Sequence, residues 1–465
     1  MTKEEAGMRA SRRTSHQALS PIVAIAIGVM VARLGGSPGV AGAGEELPRI
    51  SGPIGTGDAV DLALKHSRKV KASGADERVM TSMRREAFAG FLPQVSANGY
   101  LINQNMVPNV YFSAGDTMAR NFQVPATNRF QDLNVTGMWP LFSGGRTYYG
   151  YKAAGARAES ATQMLRGTEV EVAMQARLDY LAALREQENA KVTGELLKQT
   201  QERLRVTREE FEAGRVARFN VLRDEAELAN VVQMDTMARN RAEIALIALK
   251  TTLGVNLASP ITLGEPLRYE PLKVSADEGI RQVLDTHPDV QAGVKQVDAA
   301  EAEIRAALGR YLPEVSATVM YDWSRFNNRG EPASKPEGYS AGLVLTLPLF
   351  DGFMRENALA TARAKRDKAR EQEMLARQQV AKEVNQAALM LAAAEKNVEA
   401  SRKGLDQAEE QFRIVQERYA TGRGIQLEVL DAQVTLTRAR FNVVSALADY
   451  EASAAMWLKA IGRVR

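Results

Sequence analysis

The segment "PLFSGGR" at residues 140–146 and the segment "PLFDGFM" at residues 348–354 repeat one pattern at a spacing of 208 positions. Each places an apolar Pro-Leu-Phe before a small polar residue and a glycine, which is typical of a strand that ends at a turn. A long tract rich in Ala, Arg, Glu and Gln follows each copy. The pattern therefore predicts the same strand-to-helix junction twice, in a chain built from two structural repeats.

Two further pairs of segments extend the repeat. "FLPQVSA" (91–97) recurs as "YLPEVSA" (311–317) at an offset of 220, and "FEAGRVARFNVLRDEAEL" (211–228) recurs as "YATGRGIQLEVLDAQVTL" (419–436) at an offset of 208. The first copy therefore has twelve extra residues before its Pro-Leu-Phe and none after it. Length varies in one region and is constant in the other, so we expect loops in the first and regular structure in the second.

Apolar and polar residues alternate on both sides of the variable region, as in "QVSANGYL" (94–101) and "LNVTGMW" (133–139). A period of two over about ten residues predicts a strand with one apolar face and one polar face. We predict strands at about 91–102 and 131–142 in the first half, and at about 311–323 and 339–350 in the second. Polar loops such as "NNRGEPASKPEG" (327–338) complete two hairpins.

The constant region predicts very long helices. Residues 145–210 and 353–418 contain no proline and are rich in good helix formers. At 1.5 Å per residue, each would be a rod of about 100 Å. Glycines at 214 and 422 can reverse the chain in the predicted tips, 211–218 and 419–425. We expect a return helix of about 35 residues after each tip and a further helix before each hairpin, at 57–90 and 276–310. A single solvated helix remains the alternative for any one charged stretch.

The two repeats set the domain organisation. We predict a signal peptide at 1–43, a flexible lead-in at 44–56, a first repeat at 57–254, a Pro-rich linker at 255–275 and a second repeat at 276–465. The first segment has a basic stretch, an apolar run "ALSPIVAIAIGVMVA" (18–32) and an Ala-x-Ala site ending at Ala43. An uncleaved anchor is the alternative. The chain has no cysteine, which excludes disulfides and thiolate metal sites.

Four half-apolar strands cannot close a membrane barrel, since the smallest closed barrels need about eight. Open sheet edges are not tolerated in lipid. We therefore expect several copies of the chain to share one barrel, with eight strands from two copies or twelve from three. The same closure would arrange the rods around a common axis.

The order and spacing of "LP.VSA", "PLF.GG" and the two "GR" tips resemble the TolC-type outer-membrane efflux proteins over nearly the whole mature chain. The resemblance implies a mainly α fold with a membrane β-barrel portion: a homotrimer with a twelve-stranded barrel in the Gram-negative outer membrane and a helical tunnel in the periplasm. It also implies passive conduction, docking to a periplasmic adaptor and energy from an inner-membrane pump of the RND or ABC type.

The resemblance also places functional residues. Family members contact the adaptor around the tips, which here comprise Phe211, Ala213, Gly214, Arg215, Val216, Tyr419, Thr421, Gly422, Arg423 and Gly424. Well-known members carry acidic gate residues six and nine positions after the second tip glycine, where this chain has Glu428 and Asp431. Two solvated helix charges are the alternative.

One part of the family pattern is missing. The basic residue that closes the entrance in those members is Gly424 here, and its acidic partner in the first tip is Asn220. Arg423 is next to Gly424, and the contact that closes the entrance of this chain is therefore expected to be either rebuilt from other residues or weaker.

Other classes of function have little support in the sequence. The mature chain has two histidines, His66 and His287, far apart, and "GPIGTG" (52–57) lacks the lysine of a phosphate-binding loop. We therefore predict no enzymatic activity, no cofactor and no metal site. We also predict no nucleic-acid partner, because most of the formal charge of +4 belongs to the basic N-terminal segment. A secreted or surface-attached coiled-coil protein with a structural or adhesive role is the alternative function, although it leaves the strand hairpins unexplained.

Overall fold

The computed structural model describes residues 47–106, 109–112, 120–123, 126–272, 274–327 and 337–464. Its helices are α1 (Thr56–His66), α2 (Arg68–Ala89), α3 (Arg146–Glu212), α4 (Arg218–Leu253), α5 (Ala276–Val283), α6 (Pro288–Leu308), α7 (Met354–Ala420) and α8 (Gln426–Ala460). Its strands are β1 (Gly52–Ile54), β2 (Gln94–Met106), β3 (Asn109–Phe112), β4 (Arg120–Gln123), β5 (Ala126–Phe142), β6 (Ile261–Leu263), β7 (Glu314–Asn327) and β8 (Glu337–Thr346). The predicted signal peptide, 1–43, lies outside the described residues.

The two hairpins form one antiparallel sheet in the order β2–β5–β7–β8. The register places Trp139 opposite Ala317 and Ala317 opposite Leu343, so one face is apolar across the strands. The other face places Asn134 opposite both Asn98 and Asp322. Strands β2 and β8 are the edges of this sheet.

Proline explains two of the differences between the observed strands and their predicted bounds. Strand β2 begins at Gln94 rather than 91, directly after Pro93, and β8 ends at Thr346 rather than 350, two residues before Pro348. Proline lacks the N–H that a sheet ladder needs. The register of β5 also shifts between Pro140 and Phe142.

The long loop expected in the first hairpin contains further structure. Strands β3 and β4 pair antiparallel within it, with Asn109 opposite Gln123 and Phe112 opposite Arg120. The loop that is longer in the first repeat therefore contains a short two-stranded antiparallel sheet.

The rods are as long as the sequence predicts. Helices α3 and α7 each have 67 residues, which corresponds to about 100 Å. Gly145 precedes α3 with φ +82°, and Phe353 precedes α7 with φ +67°. The left-handed residue at each junction turns the chain from strand to helix. This left-handed backbone conformation costs little free energy at glycine, but it is strained at Phe353.

The helices that open each repeat are broken, contrary to the predicted single helices at 57–90 and 276–310. The break between α1 and α2 lies at Ser67, whose Oγ accepts a hydrogen bond from the Lys69 N–H. The break between α5 and α6 lies before Pro288, where proline disfavours helical geometry at His287.

The breaks coincide with the apolar core. One cluster includes Tyr180, Leu184 and Leu249, and it packs under α1. A second cluster in the other repeat includes Val290, Val384 and Trp457. Both breaks therefore lie beside buried apolar side chains near the middle of the rods.

The lead-in is more ordered than predicted, and the linker contacts it. Strand β1, within the predicted flexible lead-in at 44–56, pairs in parallel with β6 from the linker. The Tyr180 hydroxyl donates to the Ile54 carbonyl at 3.1 Å and fixes β1 on α3. Further along the linker, the Leu272 N–H donates to the Tyr450 hydroxyl at 2.9 Å, and that hydroxyl donates to the Glu270 carbonyl. Both segments therefore pack against the helices near the middle of the rods.

Candidate functional site

The two helix-turn-helix tips have the same backbone geometry. In the first tip, the Arg215 N–H donates to the Glu210 carbonyl at 2.8 Å, across Gly214 with φ +71°. In the second, the Arg423 N–H donates to the Arg418 carbonyl at 2.8 Å, across Gly422 with φ +71°. This pattern satisfies carbonyls at the end of each rod and reverses the chain.

Most of the predicted tip residues are exposed at these turns. Ala213, Gly214, Arg215, Thr421, Gly422 and Arg423 are exposed, as are Phe211 and Tyr419, whereas Val216 and Gly424 are half-buried. The side chains of Phe219 and Ile425 beside the tips are 67% and 61% exposed. Each tip therefore presents apolar side chains next to cationic ones.

Gly424 is held close to the preceding rod. A Cβ at this position would lie 3.1 Å from the Tyr419 backbone nitrogen, which is tighter than ordinary contact. A basic side chain of the family type would need the turn to shift. At the other position of the family pair, the Asn220 N–H donates to the Ala217 carbonyl at 2.9 Å.

The predicted gate residues lie in the first two turns of α8. The nearest cation to Glu428 is Arg418 at the end of α7, with its Nη2 3.8 Å from Glu428 Oε2. That distance permits an ion pair but is too long for a hydrogen bond, so this enclosed oxygen has no hydrogen-bond partner among the described residues. Asp431 is exposed one turn further along. The structure brings both carboxylates near the tip, on one helix.

A buried polar cluster lies directly above the tips and was not predicted from the sequence. The Asp224 side chain is fully buried on α4. Its carboxylate accepts hydrogen bonds from Thr207 Oγ1 at 2.7 Å, Arg203 Nε at 3.2 Å and Gln426 Nε2 at 3.1 Å. These donors come from α3 and α8, so one carboxylate joins the hairpins of both repeats.

The cluster continues along α3 and α8. Arg203 Nη1 donates to Gln433 Oε1, and Gln433 Nε2 donates to Gln199 Oε1 at 3.4 Å. Arg203 Nη2 is buried and has no hydrogen-bond partner among the described residues. The cluster is therefore held mainly through Asp224 and Gln433. We call these residues, Gln199, Arg203, Thr207, Asp224, Gln426 and Gln433, the inter-repeat cluster.

A groove of about 610 Å³ lies beside this cluster, between α3 and the second hairpin. Its apolar lining includes Val206, Phe412 and Val429. Tyr419 lines the same groove, and burial, with the nearby charges of Glu210 and Asp224, raises the pKa of its hydroxyl. The phenol therefore stays neutral at physiological pH.

No sequence signal at the residue level points to the inter-repeat cluster. Asp224 stands in "RDEAEL", where aspartate and glutamate look like ordinary charges of a solvated helix. Its burial depends on α8, which is about 200 residues away. Only the pairing of the repeats reveals it.

The residues that the structure describes contain no group of three or more His, Asp or Glu side chains placed to hold a metal ion. The described helices also include none that is long and apolar enough to cross a bilayer.

Comparisons with known proteins agree with this architecture. A family model described as outer membrane efflux protein matches residues 59–255 and 279–463. Protein CyaE of Bordetella pertussis is 26% identical over 419 residues, which cover 88% of this chain and 84% of that protein. Outer membrane efflux protein BepC of Brucella suis is 24% identical over 407 residues, covering 87% and 85%.

The fold is that of solved outer-membrane channels. The crystal structure of the Campylobacter jejuni CmeC outer membrane channel superimposes with a TM-score of 0.72 at 16% identity, covering 88% of this chain and 85% of that one. This likeness confirms the predicted TolC-like fold class. The tip and gate assignments are not tested by it.

Proposed function

The chain belongs to the outer membrane efflux protein family, and from this premise we propose how it works as a channel. It is an outer-membrane protein of an export system, as the resemblance in the sequence predicts. The adhesive coiled-coil alternative is set aside because the family match covers both repeats. The observation that carries the mechanism is a sheet of four strands joined to two rods of equal length, each with its own return helix.

The sheet indicates how copies of the chain assemble. Its apolar face suits lipid, but β2 and β8 leave two unpaired edges. We propose that β8 of one copy pairs with β2 of the next, and that three copies close a twelve-stranded barrel. The rods then surround one axis and form a periplasmic tunnel of about 100 Å.

The tips are the proposed docking sites for a periplasmic adaptor. Exposed apolar side chains such as Phe219 and Ile425 flank each turn, and Arg215 and Arg423 stand at the turns themselves. The adaptor would connect the channel to an inner-membrane pump that supplies the energy. We propose that this chain conducts passively and has no enzymatic activity of its own.

Glu428 and Asp431 are the proposed gate. In a trimer they would form a ring of six carboxylates at the entrance, which would favour cations. The inter-repeat cluster would hold this entrance closed, because it fixes the start of α8, two residues before Glu428, to the first hairpin. It would replace the family pair that is absent at Gly424 and Asn220.

Single-channel recording in planar bilayers tests the function. We expect the purified protein to form stable, cation-preferring pores. Persistent absence of conductance under conditions that open related channels would contradict the proposal.

The gate assignment has a separate test. Replacing Glu428 and Asp431 together by alanine should reduce cation preference severalfold in the same recordings, because the entrance loses its negative charge. The matched control replaces Glu409 and Asp406, exposed acidic residues of α7 further from the tip. An unchanged preference in the gate variant would exclude these two residues as the gate.

A further inference from the structure

A second groove lies at the strand-to-helix junction of the first repeat. It runs over α3 between α2 and α6 and has a volume of about 470 Å³. Arg84, Lys152 and Arg305 line it from three different helices. The proposed function gives no role to these three cations.

The cations lie close to the ends of the strands. Arg84 is five residues from the end of α2, Lys152 is six residues after the first residue of α3, and Arg305 is three residues before the end of α6. At 1.5 Å per residue these positions are about 5–9 Å from the junction. The headgroup layer on each side of a bilayer is about 5–8 Å thick. The three cations are therefore at headgroup depth when the sheet spans the hydrocarbon.

An aromatic cluster places the groove on the lipid side of the sheet. Trp139 belongs to the apolar face, and its Nε1–H donates to the Phe91 carbonyl at 2.9 Å. The Phe91 ring lies 6.1 Å from the Tyr151 ring, and the Phe88 ring lies 5.9 Å from it. Tyr151 also lines the groove. A hydrogen bond from Trp139 and the ring contacts of Phe88, Phe91 and Tyr151 thus connect the apolar face to the groove. Aromatic residues are enriched in the same way at the interfaces of membrane proteins.

The three cations are not neutralised by the protein. Arg84 Nε and Nη2 donate to the Tyr151 hydroxyl at 3.3 and 3.2 Å, and Arg305 stacks over the Tyr149 ring at 5.6 Å. Lys152 is exposed. Within the described ranges, none of the three lies within ion-pair distance of a carboxylate.

The carboxylates of the groove, in contrast, all have partners. Lys295 Nζ lies 2.9 Å from Glu159 Oε2 and 3.6 Å from Asp298 Oδ2. Arg370 Nη2 lies 2.8 Å from Glu301 Oε1. Glu159 is about 20 Å from the junction by the helical rise. The three cations nearest the junction are therefore the charged groups of the groove that have no ion-pair partner among the described residues.

We propose that this groove binds the headgroup phosphate of an anionic phospholipid from the leaflet that faces the helices. The phosphate would accept hydrogen bonds from Arg84, Lys152 and Arg305, and the acyl chains would lie along the apolar face past Trp139. Basic clusters beside a membrane surface recognise anionic headgroups in this way. The proposal rests on the placement of the sheet in the membrane given above.

Lipid titration of the full chain in neutral detergent tests the proposal. Short-chain phosphatidylglycerol should bind at least tenfold more tightly than phosphatidylcholine of equal chain length. The variant R84Q/K152Q/R305Q should lose that preference. The control R241Q/K396Q/R402Q removes three cations from α4 and α7, away from the groove. Arg402 likewise stacks on a tyrosine, Tyr269, at 5.2 Å. The control should keep the preference.

Three results would overturn the proposal: equal binding of the two lipids, a preference that survives the triple variant, or saturation by inorganic phosphate at the same affinity. The last would identify an anion site without a lipid. Single-channel conductance of the triple variant, measured in parallel, should match the wild type. Conducting pores without the lipid preference would refute this site alone, whereas absence of pores in the wild type would refute the proposed function.

Discussion

Asp224 is a carboxylate with no exposure to solvent, and its environment explains how that is possible. Three side-chain donors from α3 and α8 surround it, and one of them is the guanidinium of Arg203. A buried charge is tolerated only when it is paired and hydrogen-bonded. Such a cluster fixes the relative position of its helices more than it adds stability, because desolvation offsets much of the attraction.

Replacing Asp224 by alanine should lower the free energy of unfolding by about 3–5 kcal/mol, because Arg203 would remain buried without its anion. Chemical denaturation measures this change. The neighbouring Glu225 is the control, since its ion pair with Arg208 is exposed and its loss should cost less than about 1 kcal/mol. If the two variants were equally stable, Asp224 could not join the repeats.

At the scale of an element, the α5–α6 break depends on a buried histidine. His287 Nδ1 accepts a hydrogen bond from the Asp289 N–H at 3.2 Å and caps α6. Burial lowers the pKa of His287 below its ordinary value of 6.5. This effect outweighs the charges of Asp289 and Glu383 and a hydrogen bond to the Lys459 backbone, all of which raise the pKa. Protonation at Nδ1 would remove the acceptor.

We predict that stability falls as the pH drops below 6.5. The unfolded chain takes up a proton on His287 there while the folded chain does not, so unfolding becomes favourable by at most about 1.4 kcal/mol per pH unit. Thermal melts between pH 7.5 and 5 measure the slope. His287→Asn keeps a capping side chain without a titrating group, and its melts should be less sensitive to pH. Equal slopes in both proteins would contradict the assignment.

The sheet gives a second prediction at this scale. Leu343 on β8 shares the apolar face with Trp139 and is 71% exposed, whereas Ser340 lies on the opposite face. Leu343→Arg should lower barrel stability by about 2–4 kcal/mol if the residue faces the lipid midplane. Ser340→Arg should be tolerated. The two variants are compared by the fraction of protein that stays assembled on gels after heating. Equal tolerance of the two substitutions would mean that the lipid face is assigned wrongly.

Across the whole molecule, the repeat accounts for what the sequence predicts correctly. Period-two alternation indicates the four strands, and two proline-free tracts indicate the rods, because both patterns are local. Their starting bounds, 145 and 353, differ from the observed Arg146 and Met354 by one residue.

The features that were missed depend on distant partners. Strand β1 exists because β6, 209 residues later, pairs with it, and nothing in "GPI" indicates this. Asp224 is buried because Gln426 reaches it from the other repeat. Local patterns therefore predict elements well, but they do not predict which residues become buried when the two repeats pack.

The two rods have the same number of residues, and the return helices have 36 and 35. Because of this match, the two helical hairpins of one protomer extend equally far from the sheet. In the proposed trimer, a protein approaching from the cell interior would meet six ends at one height rather than three long and three short ones. One type of contact, repeated at all six tips, would then be enough to connect the whole end of the tunnel to that protein. A change in the length of one rod would have to be matched in the other.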